Sequence, residues 1–196
     1  MNKEFDIKRL RKDISFQTTL RGFNFTFNTT WGTFSPRSID EGSIMLLDRM
    51  EINENDNCLD LGCGYGPIGL TMAKLAPNGH TTLVDRDFVA VDYSNKNAQQ
   101  NNINNASALL SNGFSNIHDQ KFDVIASNIP AKVGNEMLTI FLHDAYQQLN
   151  EGGQLYIVTI TGLRKYMERN FKEIFGNYKK LKQGNQYTVA LAVKTN

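Results

Sequence analysis

Cysteine is scarce in this sequence, long apolar runs are missing, and the charges nearly cancel; each shortage excludes something. Only Cys58 and Cys63 occur among 196 residues. No second pair and no histidine cluster stands near them, so no metal site is expected. They read as small buried filler in a reducing, cytoplasmic setting. No apolar stretch approaches the roughly 20 residues that cross a bilayer, so no membrane partner is expected. The first residues mix Glu4, Asp6 and Asp13 among the bases and lack the apolar core of a signal peptide. There is no internal repeat and no low-complexity segment. The length predicts one domain with one sizeable core.

The net charge of +1 hides an uneven distribution. Residues 1–40 carry seven Lys/Arg against four acids, residues 161–196 carry eight against two, and the middle carries six against 14. Such polarity suits basic surface around an acidic centre, as a nucleic-acid partner requires.

What the chain does have is one dense stretch, Asp60-Leu61-Gly62-Cys63-Gly64-Tyr65-Gly66-Pro67. A short buried strand, Asn57 to Leu59, precedes it, and a helix over Pro67 to Leu75 follows. Pro67 suits a first helical turn, where its missing N–H is not needed. Gly62, Gly64 and Gly66 leave a turn without Cβ bulk, so a ligand can lie against the backbone. The pattern is not G-x-G-x-x-G, because Pro67 stands where a dinucleotide site wants glycine, and no Gly-Lys-Ser/Thr ending marks a P-loop. Asp60 would repel a pyrophosphate but suits a ligand carrying an ammonium group. Asp85 ends the next apolar run, where an open α/β sheet presents a ribose-binding carboxylate.

This combination resembles the class I S-adenosylmethionine (SAM) methyltransferases. The resemblance implies that the first acid holds the methionine amine, the glycines pass the ribose and methionine, and the second acid takes the ribose hydroxyls. An NAD-dependent dehydrogenase is disfavoured by Asp60 and Pro67.

The order of elements agrees with that family. Phe23, Phe25 and Phe27 alternate with polar residues and read as one strand of an N-terminal hairpin about Gly22. Ser38 with Glu41 reads as a capping box opening a helix with Ile44, Leu47 and Met50 on one face. Asp87 caps a helix to about Gln100 with Val91 and Ala98 inward. Further strands are expected over Ala106–Leu110, Phe122–Ser127 and Gln154–Ile160. Helices are expected over 135–149 and 163–175, and a closing antiparallel pair over 178–181 and 187–193. The fold class is therefore α/β: a Rossmann-like, seven-stranded, mostly parallel sheet with an antiparallel C-terminal strand and an N-terminal hairpin extension. The abundant asparagines read as loop and helix-surface residues. The whole, 1–196, reads as a single methyltransferase domain, with a basic arm and hairpin over 1–35 and a catalytic core over 36–196.

Asp60, the three glycines, Asp85, Asn112 and Asn128 all fall at or just past strand ends, which collects polar groups on one side of the sheet. Asn112 is placed to accept from the adenine amine, with Phe114 near the ring; a plain Asn112-Gly113 turn is the other reading. Asn128 is the candidate for chemistry. An amine nitrogen conjugated to a base ring is a weak nucleophile, and an Asn oxygen with a neighbouring backbone carbonyl can accept its two N–H groups and hold it against the methyl. Pro130 stiffens the loop that supplies the carbonyl.

A narrower resemblance covers nearly all of the chain after about residue 20. Gly32-Thr33-Phe34-Ser35, Asp40-Glu41-Gly42-Ser43, the Asp60 turn, Ser111-Asn112 and Lys121-Phe122-Asp123 through Ser127-Asn128 look like the "methyltransferase small" domain. Gly134, Leu149-Asn150-Glu151-Gly152-Gly153 and Phe175-Gly176 continue it. The best match within that family is the catalytic half of the small-subunit ribosomal RNA guanine-N2 methyltransferases, whose additional N-terminal domain has no counterpart in this sequence. The resemblance implies SAM as cofactor and ribosomal RNA or a ribosomal subunit as partner. One departure stands out: Asn128-Ile129-Pro130-Ala131 replaces the family's Asn-Pro-Pro-aromatic tetrad, so the residue that stacks on the target base is reduced to alanine. Trp31 and Phe34 are candidates to replace it, although Phe34 reads better as hairpin core. The altered tetrad keeps two alternatives open: a methyltransferase of a protein glutamine amide or a small-molecule amine, and a non-catalytic SAM- or RNA-binding module.

Overall fold

The computed structural model describes residues 12–130 and 133–195. Lys8, Arg9 and Arg11 of the expected basic arm, and Ala131, lie outside them. The described part opens with the hairpin, β1 (Ile14–Leu20) and β2 (Phe23–Thr29), paired with Phe16 opposite Phe27. Phe25 and Phe27 are buried and stack at 5.3 Å between ring centroids. Arg21, at the hairpin turn, reaches the helix α1 (Glu41–Leu47) and donates to the carbonyls of Leu47 and Met50. One of the bases counted toward a basic surface is thus a helix C-cap.

The expected capping box at Ser38 is not formed. The N-cap of α1 is Asp40, whose Oδ2 accepts from the Ser43 amide at 3.2 Å. Ser38 is still in the preceding loop, its carbonyl taken by Ser35 Oγ and Tyr65 Oη. The buried face of α1 also differs from the expected one. Leu46 and Leu47 are buried with Met50 just beyond, whereas Ile44 is 41% exposed.

The remaining elements are β3 (Cys58–Leu61), α2 (Pro67–Leu75), β4 (Thr81–Asp85), α3 (Phe88–Gln100), β5 (Ala106–Leu110), β6 (Phe122–Asn128) and α4 (Asn135–Gln148). After them come β7 (Leu149–Ile160), α5 (Arg164–Phe175), β8 (Lys179–Gln183) and β9 (Tyr187–Val193). The start of β7 precedes the expected Gln154 because Leu149 already pairs with Phe122 across an irregularity in register. The strands form one seven-stranded sheet in the order β5-β4-β3-β6-β7-β9-β8. β9 runs antiparallel to both of its neighbours, and the other pairs are parallel.

The strands alternate strictly between two cores, as the two-residue period demands. Cys58, Val124, Ala126, Tyr156 and Val158 face a layer made by the hairpin, α1 and α2. Leu59, Ile125, Leu155 and Ile157 face α4 and α5. Both cysteines are buried and unpaired; burial pushes the Cys58 thiol up to about 12, and raises that of Cys63 well above its usual range, so neither is a ready thiolate. No helix among the described residues is long and apolar enough to cross a membrane.

From β3 the chain winds outward through β4 to β5, then returns to place β6 on the other side of β3. The winding direction therefore reverses between β3 and β6. Open α/β sheets bind ligands in the crevice at the carboxyl ends of the two strands flanking such a reversal.

Candidate active site

The crevice is formed by the glycine turn after β3 and by Asn128 at the end of β6. Cys58, Leu59 and Asp60 of β3 pair with Val124, Ile125 and Ala126 of β6, which sets the two ends side by side.

The turn is a backbone structure. Gly62, Gly64 and Gly66 have φ of 80°, 57° and 96°, left-handed values that favour glycine. The amides of Gly62 and Cys63 both donate to the Val84 carbonyl, tying the turn to β4. A Cβ built on Gly62 or Gly64 meets nothing within 4 Å, so that side of the turn is open to a ligand. Gly66 differs: its Cβ would lie 3.1 Å from Ser94 Oγ and 3.2 Å from Leu70, so it serves the entry of α2. Gly69 is tighter still. A Cβ there would lie 2.5 Å from the Leu83 side chain, and its absence lets α2 rest directly on the sheet.

Both acids hold this turn. Asp60 is fully buried and accepts from the Gly69 amide through Oδ2 at 2.7 Å. Its Oδ1 is buried without a partner among the described residues. Burial raises its pKa to about 7, with the Asp85 charge adding and the Gly69 amide opposing. Asp85 accepts from the Gly64 amide at 3.0 Å and from the Asp87 amide at 2.9 Å, leaving its half-buried carboxylate oriented at the rim. Asp87 caps α3 through the Val89 amide, as expected from the sequence.

Asn128 is half-buried, and its Nδ2 donates to Asp40 Oδ2 at 2.8 Å and to Ser43 Oγ at 3.0 Å. An ionised carboxylate can only accept, so the nitrogen end of the amide has to face Asp40. Oδ1 is therefore the end turned away from α1. Ile129 is tied to β7 through the Val158 carbonyl, and the exposed Pro130 accepts from the Val133 amide at 3.3 Å. Tyr187, at the start of β9, donates to the other oxygen of Asp40 at 2.9 Å. Nothing in the sequence signals this role of Tyr187. The Asp40–Ser43 run is noticeable only as part of the resemblance.

The remaining candidates are placed unequally. Asn112 is exposed just past β5, and its carbonyl takes the Ser115 amide and hydroxyl. Phe114 is 4% exposed, in the core with Ile117 and Phe122. Phe34 is not hairpin core either: it is 67% exposed and Trp31 is 64% exposed. Their loop is nevertheless held to the glycine turn, because Tyr65 Oη donates to the carbonyls of Ser35 and Ser38. Among the described residues no cluster of His, Cys, Asp and Glu is suited to a metal.

A seven-stranded sheet with one reversed strand, β9, next to its edge, and an acid–glycine turn and a second acid at its carboxyl edge, define the class I SAM-dependent methyltransferase architecture. The profile of the methyltransferase small domain matches residues 24–191, and the chain belongs to that family of SAM-dependent methyltransferases. It is 36% identical over 154 residues to the uncharacterized protein YbxB of Bacillus subtilis, covering 78% of this chain and 76% of that one. It is 30% identical over 171 residues to the ribosomal RNA small subunit methyltransferase C of Buchnera aphidicola, covering 85% of this chain. That alignment takes in 52% of the relative, so the chain spans about half the length of the ribosomal RNA methyltransferase it matches. Among solved structures, the Thermus thermophilus 16S rRNA N2 G1207 methyltransferase, in complex with AdoMet and guanosine, superposes with a TM-score of 0.84 at 27% identity. The match covers 93% of this chain and 50% of that one.

Proposed function

We propose that this protein methylates the exocyclic 2-amino group of a guanine in small-subunit ribosomal RNA. The observation that carries the reading is the polarity of Asn128, whose nitrogen is held by Asp40 and Ser43 while its oxygen is turned away from them. An oxygen presented there accepts from a substrate N–H, which suits an amine or amide acceptor and not a hydroxyl awaiting a base. Similarity to enzymes named for ribosomal RNA, one of them solved with guanosine, supports guanine as the source of that amine.

The residues present fit SAM. The open face of Gly62 and Gly64 leaves room for a ligand against the backbone. The unpartnered oxygen of Asp60 beneath the turn favours a cationic ammonium above it. Asp85 has each oxygen fixed by one amide and a lone pair remaining for a ribose hydroxyl. Asn112, at the rim beyond β5, is assigned to the adenine amine. When bound, SAM supplies an electrophilic methyl on its sulfonium. Asn128 Oδ1 and a backbone carbonyl of the Ile129–Pro130 turn accept the two N–H groups of the substrate amine and align its lone pair. They also favour the positive charge that develops on nitrogen. No strong base is required, since the alkylated nitrogen is acidic and gives its proton to water. Trp31 and Phe34 are assigned to the base ring in place of the missing aromatic after Pro130.

Small ribosomal subunits, naked ribosomal RNA, ribosomal proteins and a small-metabolite fraction, each incubated with methyl-labelled SAM, test the reading. Label in RNA, recovered as N2-methylguanosine by mass analysis, is the expected result. Label confined to protein or metabolite overturns it, and cofactor binding without transfer to any fraction makes the chain a binding module. RNA affinity is also expected to fall steeply with salt, with a log–log slope of about −5 for six phosphate contacts on duplex-like RNA.

A further inference from the structure

We infer that Asp40, braced by Tyr187, is a positioning residue that fixes which end of the Asn128 amide faces the substrate. The inference rests on the reading of Asn128 given above and deepens it. An asparagine amide is nearly symmetrical in shape, and a half-turn about its last bond exchanges an acceptor for a donor. With the nitrogen outward, Asn128 would repel the N–H groups that the reaction requires it to hold. Something must therefore set its polarity, and the structure contains a group that can do so.

Asp40 Oδ2 accepts from both the Ser43 amide and Asn128 Nδ2, at 3.2 and 2.8 Å. Its Oδ1 accepts from the Tyr187 hydroxyl at 2.9 Å. The carboxylate is thus held at three points, from α1, β6 and β9, and it offers Asn128 only an acceptor. Ser43 Oγ, 3.0 Å from the same nitrogen, completes the socket, since a hydroxyl oxygen can accept the second N–H. Gly42 keeps the socket closed: a Cβ there would lie 2.9 Å from Asp40 Oδ2 and 2.9 Å from the Tyr187 ring. The contacts made with Asn128 and Tyr187 span 85 to 147 positions in sequence, so they are not a by-product of the local helix cap.

Serine caps a helix about as well as aspartate, but it is too short to reach Asn128 or Tyr187. Asp40→Ser therefore keeps the cap and removes the clamp, whereas Asp40→Asn keeps an oxygen toward both Ser43 and Asn128. Turnover on small ribosomal subunits with methyl-labelled SAM is expected to fall at least tenfold in Asp40→Ser and only a few-fold in Asp40→Asn. SAM affinity and the melting temperature should stay close to wild type in both. In an Asn128→Ala background, Asp40→Ser should cost less than a further twofold, because the clamp acts through Asn128. A full tenfold loss in that background, or normal turnover in Asp40→Ser alone, overturns the proposal. A readout without substrate separates this idea from the choice of acceptor. The Asn128 side-chain amide protons should be slow to exchange by NMR in wild type and fast in Asp40→Ser. Equal exchange in the two proteins overturns the clamp even if RNA is methylated, and unequal exchange supports it even if RNA is not.

Discussion

The glycine turn and the Asn128 mouth sit on neighbouring strands, yet they are built from different material. The turn is made of backbone within ten residues, Asp60 to Gly69, with Val84 and Asp85 at the end of β4 tying it from outside. Its geometry follows from glycines, one proline and two acids whose spacing can be read along the chain. The mouth is made of side chains from the start of α1, the end of β6 and the start of β9. No spacing rule connects these positions, and only the sheet brings them together. A cofactor shared by many enzymes can be served by a local motif. A substrate that distinguishes one enzyme from another is served by contacts that the whole fold has to assemble.

The two regions should therefore fail separately. The largest expected effect is in the mouth. Asn128→Ala should cut turnover about a hundredfold or more, the scale of removing one oriented polar group from a reacting centre. SAM affinity by calorimetry should stay within a few-fold of wild type. In the turn, Gly69→Ala forces a methyl into the Leu83 side chain and should cost about 1–3 kcal/mol of stability by denaturant titration. Asp85→Ala, which removes charge-assisted bonds, should weaken SAM binding at least roughly tenfold. It should leave the exchange rate of the Asn128 side chain untouched.

The smallest effect is one of pH, and it belongs to the turn alone. Asp60 has its pKa raised by burial to about 7 from an ordinary value of 3.8. The folded protein therefore keeps a proton that the unfolded chain releases near pH 4. Its contribution to stability is full below that point and declines as pH rises through about 7. A bound cation favours the ionised form, so SAM affinity should increase from pH 6 to 8 with proton release, read by calorimetry in buffers of different ionisation enthalpy. Asp60→Asn should flatten both the affinity and the melting-temperature profiles over that range.

The same division explains how much is legible in the sequence. The helix from Pro67 to Leu75, the Asp87 cap and β9 match expectation because each is specified by neighbours in the chain. Ser38 with Glu41 looks like a cap because the pattern is local, but Tyr65 holds Ser38 in the loop and Asp40 caps instead. Phe114 looks exposed in a turn, yet it is buried in the same core as Ile117 and Phe122. Phe34 looks like core, yet its loop turns it outward. The asparagines mislead for the same reason, since their partners are distant in the chain. Asn97 is fully buried, and Asn105 donates to three carbonyls in the last turn of α2 and just beyond it, at Ala73, Ala76 and Gly79.

Three asparagines of α3 and its C-cap have a consequence for how this protein behaves among copies of itself. Asn97 pairs with both the amide and the carbonyl of Asn28, and Asn101 does the same for Thr26. Asn95 takes the amide and carbonyl of Ala108 on β5, the last strand of the sheet. Four residues along a helix rise about 6.0 Å and two along a strand about 6.8 Å, so one helix can match the repeat of a strand edge. Each amide side chain imitates a peptide group of a neighbouring strand and occupies bonds that another chain would otherwise use. At the opposite end, β8 instead carries Lys179, Lys180 and Lys182, which oppose strand addition by charge. The molecule thus blocks unwanted sheet extension by mimicry at one border and by repulsion at the other. Only the second of these defences weakens as salt is added.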